Sequence, residues 1–186
     1  MKKISVLGII VVLLLAACGT KTIEFTERGS FAVRRVEDLS ERMKVPDSFK
    51  LRKDVIVIDR NNNDETERYT YIEYSSENSY GAAIKNIAMY YNIQYLGSFD
   101  DYDLDKLDEE ITKNAMIIAD YATFGGTGRV SEKEATEAQL SNDENRIIKR
   151  AINTYYQWNR NEIEENYELV PCADIGQQLG IEYIEK

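Results

Sequence analysis

Extended and helical patterning occupy separate stretches of this 186-residue chain, and that segregation limits the folds open to it. Val55-Ile56-Val57-Ile58 is β-branched throughout and runs into Asp59-Arg60-Asn61-Asn62-Asn63-Asp64, a cluster of turn formers expected to end the strand. From Arg68 to Ser75 the chain alternates, with Tyr69, Tyr71 and Glu73 on one face and Thr70, Ile72 and Tyr74 on the other, so the two segments read as a β-hairpin. Residues 80–95 fit both periods: Ile84, Ile87 and Tyr91 have helical spacing, while Ile87, Met89 and Tyr91 alternate. Aromatic side chains gain more on a half-buried pleated surface than on a helix, which favours a third strand turning near Asn92 into a fourth at Gln94 to Phe99.

Helical signals frame this extended region. Ala32 to Lys44 carries Val33, Val36, Leu39 and Met43 ahead of Pro46, as a short amphipathic helix would. Leu104, Leu107, Ile111, Ala115, Ile118 and Ala122 form one apolar stripe that Gly125-Gly126 terminates, predicting a helix over 104–124. Ser131-x-x-Glu134 and Ser141-x-x-Glu144 are both capping boxes, so two helix starts are expected ten residues apart. The second would carry Ile147, Ile148, Ala151, Ile152, Tyr155, Tyr156 and Trp158 and pack on the sheet, and Asp174 to Leu179 adds a further turn ended by Gly180. The expected class is α+β: an antiparallel sheet of three to four strands, C-terminal helices packed on one face, and a short N-terminal helix. Strands followed by helices argue against a doubly wound βαβ arrangement.

The amino terminus carries the most specific motif. Lys2 and Lys3 precede an apolar run from Ile4 to Leu15, and Leu15-Ala16-Ala17-Cys18 follows. The run is shorter than the roughly 20 apolar residues a spanning helix needs, and it ends in small residues. This pattern resembles the signal peptide and lipobox of a bacterial lipoprotein. The resemblance implies cleavage before Cys18, a diacylglyceryl group on its thiol, and a lipid anchor at the outer face of the cell membrane. The alternative is an ordinary secretory signal with a chance cysteine. The implied organisation is a cleaved leader over 1–17, a lipidated tether over 18–30 and one globular domain over 31–186. A tether from Gly19 to Gly29 spans at most roughly 35 Å at about 3.3 Å per residue, so the domain would work close to the membrane. The stretch from Val45-Pro46-Asp47-Ser48-Phe49 through Asn78-Ser79-Tyr80-Gly81-Ala82 also resembles a segment of small uncharacterised Gram-positive envelope lipoproteins, which implies a strand after Gly81 and no particular activity.

Charge and residue usage exclude several function classes. Loss of residues 1–17 leaves 21 basic against 33 acidic residues, a net charge of −12. Such a surface disfavours nonspecific adhesion to nucleic acid and anionic polymers and suits cationic peptides or metal ions better, although a net charge of this size also simply keeps a tethered domain soluble. The chain has no histidine, which removes Ser-His-Asp and Cys-His catalysis, histidine-ligated zinc and the usual proton shuttle near neutral pH. With Cys18 lipidated, Cys172 has no disulfide partner, and its Leu169-Val170-Pro171-Cys172-Ala173 setting suits a packed thiol. Asp101-x-Asp103-x-Asp105 has the first spacings of a calcium loop, but Lys106 stands at the required Gly and Thr112 at the required Glu. Asp59-x-Asn61-x-Asn63 fails in the same way, so helix caps and a hairpin turn are the preferred readings and neither metal nor cofactor is assigned. Gly125-Gly126-Thr127-Gly128-Arg129 lacks the preceding strand and the Gly-Lys-Ser/Thr of a phosphate loop.

Two functional readings follow. Tyrosines 69, 71, 74, 80, 90, 91, 95 and 102 crowd one third of the chain. If Tyr69, Tyr71 and Tyr74 lay on an open sheet face they would form a surface for an envelope protein, peptide or glycan. Cross-strand aromatic pairing beneath the helices is the competing account of the same residues. A binding or structural module is therefore the first reading. A tethered envelope hydrolase using paired carboxylates, such as Asp108-Glu109-Glu110 or Glu164-Glu165, is the second.

Overall fold

The computed structural model describes residues 23–62, 65–125, 128–163 and 166–184. The leader with Cys18, Asn63-Asp64 of the hairpin turn, Gly126-Thr127 of the glycine-rich link and Glu164-Glu165 lie outside the described residues. In chain order the elements are α1 (Glu27–Arg42), β1 (Lys50–Leu51), β2 (Val55–Asn62), β3 (Glu65–Glu77), β4 (Ala83–Tyr91), β5 (Gln94–Ser98), α2 (Leu104–Phe124), α3 (Glu132–Asn159), β6 (Tyr167–Val170), α4 (Cys172–Leu179) and β7 (Glu182–Tyr183). The fold is α+β, with four helices and one mixed seven-stranded sheet among the described residues.

β3 is the spine of the sheet. On one side it pairs antiparallel with β4 over its whole C-terminal two thirds, from Tyr69↔Tyr91 to Glu77↔Ala83, and β4 in turn pairs with β5. Its other side is shared: β2 takes Glu65 to Tyr71 and β1 takes Tyr74 and Ser75. β6 adds to β2 antiparallel, and β7 lies parallel to β1. The expected three or four antiparallel strands are thus the centre of a larger, mixed sheet. Strands of two and four residues carry too few side chains to show a period of two, so β1, β6 and β7 leave no readable alternation. Only pairing with neighbouring strands makes them strands.

The four expected strands are present, with β2 and β3 both longer than expected. β2 continues through Asp59-Arg60-Asn61-Asn62, where turn formers were expected to stop it. Asp59 explains the continuation. Its carboxylate accepts Arg28 Nε at 2.8 Å and is bidentate to Arg68, with Nε at 2.6 Å and Nη2 at 3.0 Å, so this polar stretch is pinned to β3 and α1. Arg68 also lies 5.1 Å from the Phe31 ring. At the β4–β5 turn, Asn92 takes a positive φ of 49°, which Asn tolerates. Its N–H donates to Arg68 O at 2.7 Å and its Oδ1 accepts Arg68 N–H at 3.0 Å, closing the turn on β3.

Helices cover both faces, whereas the C-terminal helices were expected on one. α1 and α4 pack on the face formed by Val55, Val57, Ile72, Tyr74, Ala88, Tyr90 and Val170; α2 and α3 cover Ile56, Ile58, Tyr69, Tyr71, Met89 and Leu96. α1 begins at Glu27, five residues before Ala32, because the Thr26 hydroxyl caps it by accepting Gly29 N–H at 2.9 Å and donating to the Glu168 carboxylate at 2.7 Å. The folded chain accordingly starts before residue 31. α2 has its expected bounds, with Asp103 as N-cap and Gly125 as C-cap. The two expected starts at Ser131 and Ser141 are one helix. Ser131 and Glu134 form a capping box, but Ser141 and Asn142 lie inside α3, where Asn142 is buried and Ser141 accepts from Asn114 Nδ2 of α2. Packing against α2 keeps the backbone helical through a local capping signal. α4 ends at Gly180, whose φ of 68° only glycine adopts freely.

Burial works to raise the Asp59 carboxyl, but the Arg68 and Arg28 guanidiniums outweigh it and hold it below the ordinary carboxylate range. Its stabilising contribution is therefore complete above the unfolded value of about 4 and is lost as pH falls through the lower folded value. Asp59→Asn should cost about 3 kcal/mol in urea unfolding at pH 7, because it leaves two guanidiniums without their shared anion. The loss of stability between about pH 4 and pH 2 should be shallower in this variant than in the parent chain.

Candidate functional site

The tyrosine alternation is as expected, but the surface it was expected to form is closed. Tyr69 is 0 % exposed, Tyr71 1 % and Tyr74 4 %. Tyr69 and Tyr71 face α2 and α3, Tyr74 faces α1, and none belongs to an open sheet face. Tyr69 tilts against its cross-strand neighbour Tyr91 with centroids 5.5 Å apart, and its hydroxyl donates to Glu67 at 2.8 Å. Tyr71 donates to Ala151 O in α3 at 2.8 Å, and Tyr74 stacks on Phe49. The expected open surface of these three tyrosines is corrected: each ring lies beneath a helix or turn, Tyr69 and Tyr74 within the two cores and Tyr71 lining a concavity rather than an exposed face. Tyr71→Ala should accordingly destabilise by about 3–5 kcal/mol. Tyr71→Phe, losing only the bond to Ala151 O, should cost about 1 kcal/mol in urea unfolding.

A different concavity lies beside Tyr71. At the C-terminal end of α3 a cavity of about 140 Å³ remains between helix and strands, lined by Lys53, Asp54, Ile56, Tyr71, Glu73, Ile87, Tyr155, Trp158, Asn159 and Leu169. A shallower depression lined by Lys53, Glu73, Lys85, Asn86, Ile87, Phe99, Asp100, Tyr155 and Tyr156 shares four of these residues, so the two make one groove. Its walls are aromatic. Tyr155 is the hub, with ring centroids 5.1 Å from Tyr71, 4.8 Å from Phe99 and 5.9 Å from Trp158, and Trp158 meets Tyr167 of β6 edge-on at 6.3 Å. These contacts fix the rings in place while leaving Trp158 and Tyr155 only partly buried.

The polar groups sit at the rim. Lys53 Nζ pairs with Glu73 Oε2 at 2.7 Å, with Arg52 3.7 Å from the other carboxylate oxygen. The Glu73 carboxylate beside it raises the Lys53 ammonium above the usual range, so it stays charged. Burial raises the Tyr71 and Tyr155 phenols, which leaves both neutral at physiological pH. Asp54 accepts Cys172 N–H at 3.1 Å and thereby caps the first turn of α4. Burial, and then this carboxylate, push the Cys172 thiol up, so it has the character of a packed thiol rather than a nucleophile.

The other sequence-level candidates are placed as follows. Asp101 accepts Ser98 N–H and Asp103 accepts the N–H groups of Asp105 and Lys106, so two of the three calcium-loop aspartates are helix caps. Asp108 pairs with Lys149 of α3. No helix among the described residues is long and apolar enough to cross a membrane. Tyr155, Trp158, Lys53 and Asp54 were not singled out as a site. The available signal was the change of the α3 apolar face from Ile and Ala to Tyr155-Tyr156-Gln157-Trp158 in its last turns, where Tyr155 and Trp158 pack on the core yet stay partly exposed. Set against known proteins, the chain matches no family model, no curated protein and no solved structure.

Proposed function

We propose that this protein is a binding module, anchored through lipidated Cys18 to the outer face of a bacterial cell membrane, which receives a peptide or glycan in the aromatic groove between the sheet and α3. One observation carries the reading: a concave site walled by Tyr71, Tyr155 and Trp158 with charged and amide groups confined to its rim. Fixed rings supply contact area at little entropic cost, and Lys53, Glu73, Asp54 and Asn159 can orient a ligand's polar groups. The net charge of −12 after leader removal disfavours nucleic acid as that ligand.

The tethered hydrolase reading has one observation on its side, since Asp54 and Glu73 both line the groove. Each already serves the fold, however: Glu73 binds Lys53, and Asp54 caps α4. A glycosidase pair needs one carboxyl group free to donate a proton and another free to attack or to activate water. Binding is the better supported of the two.

Trp158 is the only tryptophan in the chain, so its emission reports on the groove without interference. Muropeptide fragments and extended peptides, titrated separately, should shift that emission in a saturable way, and Tyr155→Ala should weaken the response about tenfold, equivalent to about 1.4 kcal/mol. A flat emission with both ligand classes would remove the groove as the binding site. For the anchor, Cys18→Ala should leave the protein unprocessed or release it from membranes; a processed, membrane-bound variant would refute lipidation.

A further inference from the structure

The groove runs onto a length of unfinished sheet. β5 pairs with β4 only at Ala88 to Tyr91, so among the described residues Ala83 to Ile87 is paired with β3 on one side and with no strand on the other, where the short 3-10 turn Phe99–Asp101 lies near its Ile87 end. The parity of the ladder is fixed by Asn92, an even residue whose N–H reaches Arg68 O of β3. Even residues of β4 therefore direct their backbone groups to β3, and Ala83, Lys85 and Ile87 direct theirs to the open edge. Ile87 N–H has a makeshift partner there: it donates to the adjacent Asn86 Oδ1 at 2.8 Å.

The same three positions point their side chains to the α3 face, because β4 alternates and Met89 and Ile87 belong to that face. Ile87 borders the aromatic cluster, and Lys85 stands exposed on the rim. Lys85 makes no ion pair among the described residues, although Asp100 lines the same depression, whereas Lys53 beside it is neutralised by Glu73. An edge with directed N–H and C=O groups, rings at one end and an unpaired ammonium at the other selects an occupant by chemistry.

We propose that the ligand of the groove is an extended acidic peptide that adds as a strand to the open edge of β4, setting an apolar side chain opposite Ile87 against Tyr155 and Phe99 and a carboxylate opposite Lys85. The proposal rests on the groove reading above and narrows it. Main-chain bonds to Lys85 and Ile87 supply affinity, with the Ile87 N–H exchanging Asn86 Oδ1 for a peptide carbonyl. Alternate side chains supply specificity, since residues of one parity on an added strand face the rings and those of the other parity face away. A charged residue in the middle of an edge also deters pairing with an uncharged strand. Here that device becomes a filter, because the ammonium that repels lysine-bearing strands attracts one carrying glutamate or aspartate.

The test uses the full mature chain and two blocked hexapeptides, Thr-Phe-Thr-Glu-Thr-Val and its twin with Lys in place of Glu. The Glu peptide should move the amide signals of Ala83, Lys85 and Ile87 in nitrogen-15 correlation spectra and shift Trp158 emission, and the Lys peptide should bind about tenfold more weakly. Lys85→Glu should reverse that preference. Lys85→Pro removes an outward N–H without touching the ladder to β3, and should weaken the Glu peptide about fivefold to tenfold while leaving urea unfolding little changed. A Trp158 response without movement of the three edge amides, and with no reversal by Lys85→Glu, would overturn strand addition and leave the groove reading standing. No response from either probe site to either peptide would overturn strand addition, and the muropeptide titration alone would then decide the groove. A concentration-dependent dimer abolished by Lys85→Pro, with no peptide response, would assign the edge to a second copy and overturn the proposal.

Discussion

The sheet is organised on β3, which pairs with β1, β2 and β4, and the remaining strands join through these three. The 13 residues of β3 are bonded to β4 along one side and divided between β2 and β1 along the other, while its side chains alternate into two separate cores. A strand so placed has no solvent-facing side, which is why its tyrosines are buried and why Tyr71 ties α3 to the sheet through Ala151 O. The polar exceptions obey the same constraint. Glu67 is buried and accepts the Tyr69 hydroxyl with Arg150 alongside, and Arg68 spends its guanidinium on Asp59 and Glu27. Glu67 and Arg68 thus each have a charged partner in a neighbouring element, whereas the Thr70 hydroxyl, also buried in β3, has no hydrogen-bond partner among the described residues.

The groove is a consequence of mismatch between that spine and its cover. α2 and α3 close over the half of the sheet that holds Ile58, Tyr69, Met89 and Leu96, and the strands continue past them toward Glu73, Ser75 and Lys85. Where cover ends and sheet continues, a two-layer structure leaves a step. Rings from the last turns of α3 wall the step, and the short β5 leaves the adjoining edge of β4 open. A single geometric fact, that β5 is shorter than β4, thus yields both the rim of the groove and the edge beside it.

Much of the centre of this architecture was legible in local pattern. The Tyr69/Tyr71/Glu73 and Thr70/Ile72/Tyr74 alternation assigns the right faces, the aromatic content of 80–92 picks the strand over the helix, and the stripe from Leu104 to Ala122 gives α2 its observed limits. Pattern failed where neighbours overrule it. Asp59-Arg60-Asn61-Asn62 has turn propensity and is strand because Arg28 and Arg68 bind Asp59; Ser141-Asn142 has capping chemistry and is helix because α2 packs against it. Of the candidate site residues, Tyr71 alone reappears, as a wall of the groove rather than as an exposed contact.

The sequence by itself determined periodicity, charge and chemistry: which face each β3 residue takes, an acidic histidine-free chain, and an amino-terminal apolar run and Leu15-Ala16-Ala17-Cys18 that resemble a lipobox. These are properties of adjacent residues, and a 2.0 or 3.6 period records them directly. Tertiary structure decided what covers each face, that β1, β6 and β7 join the sheet, and that Lys53, Ile87, Tyr155 and Trp158 share one concavity. Lys53 and Trp158 stand 105 positions apart in the chain, and neither period nor propensity relates side chains that only packing of a helix on a sheet brings together.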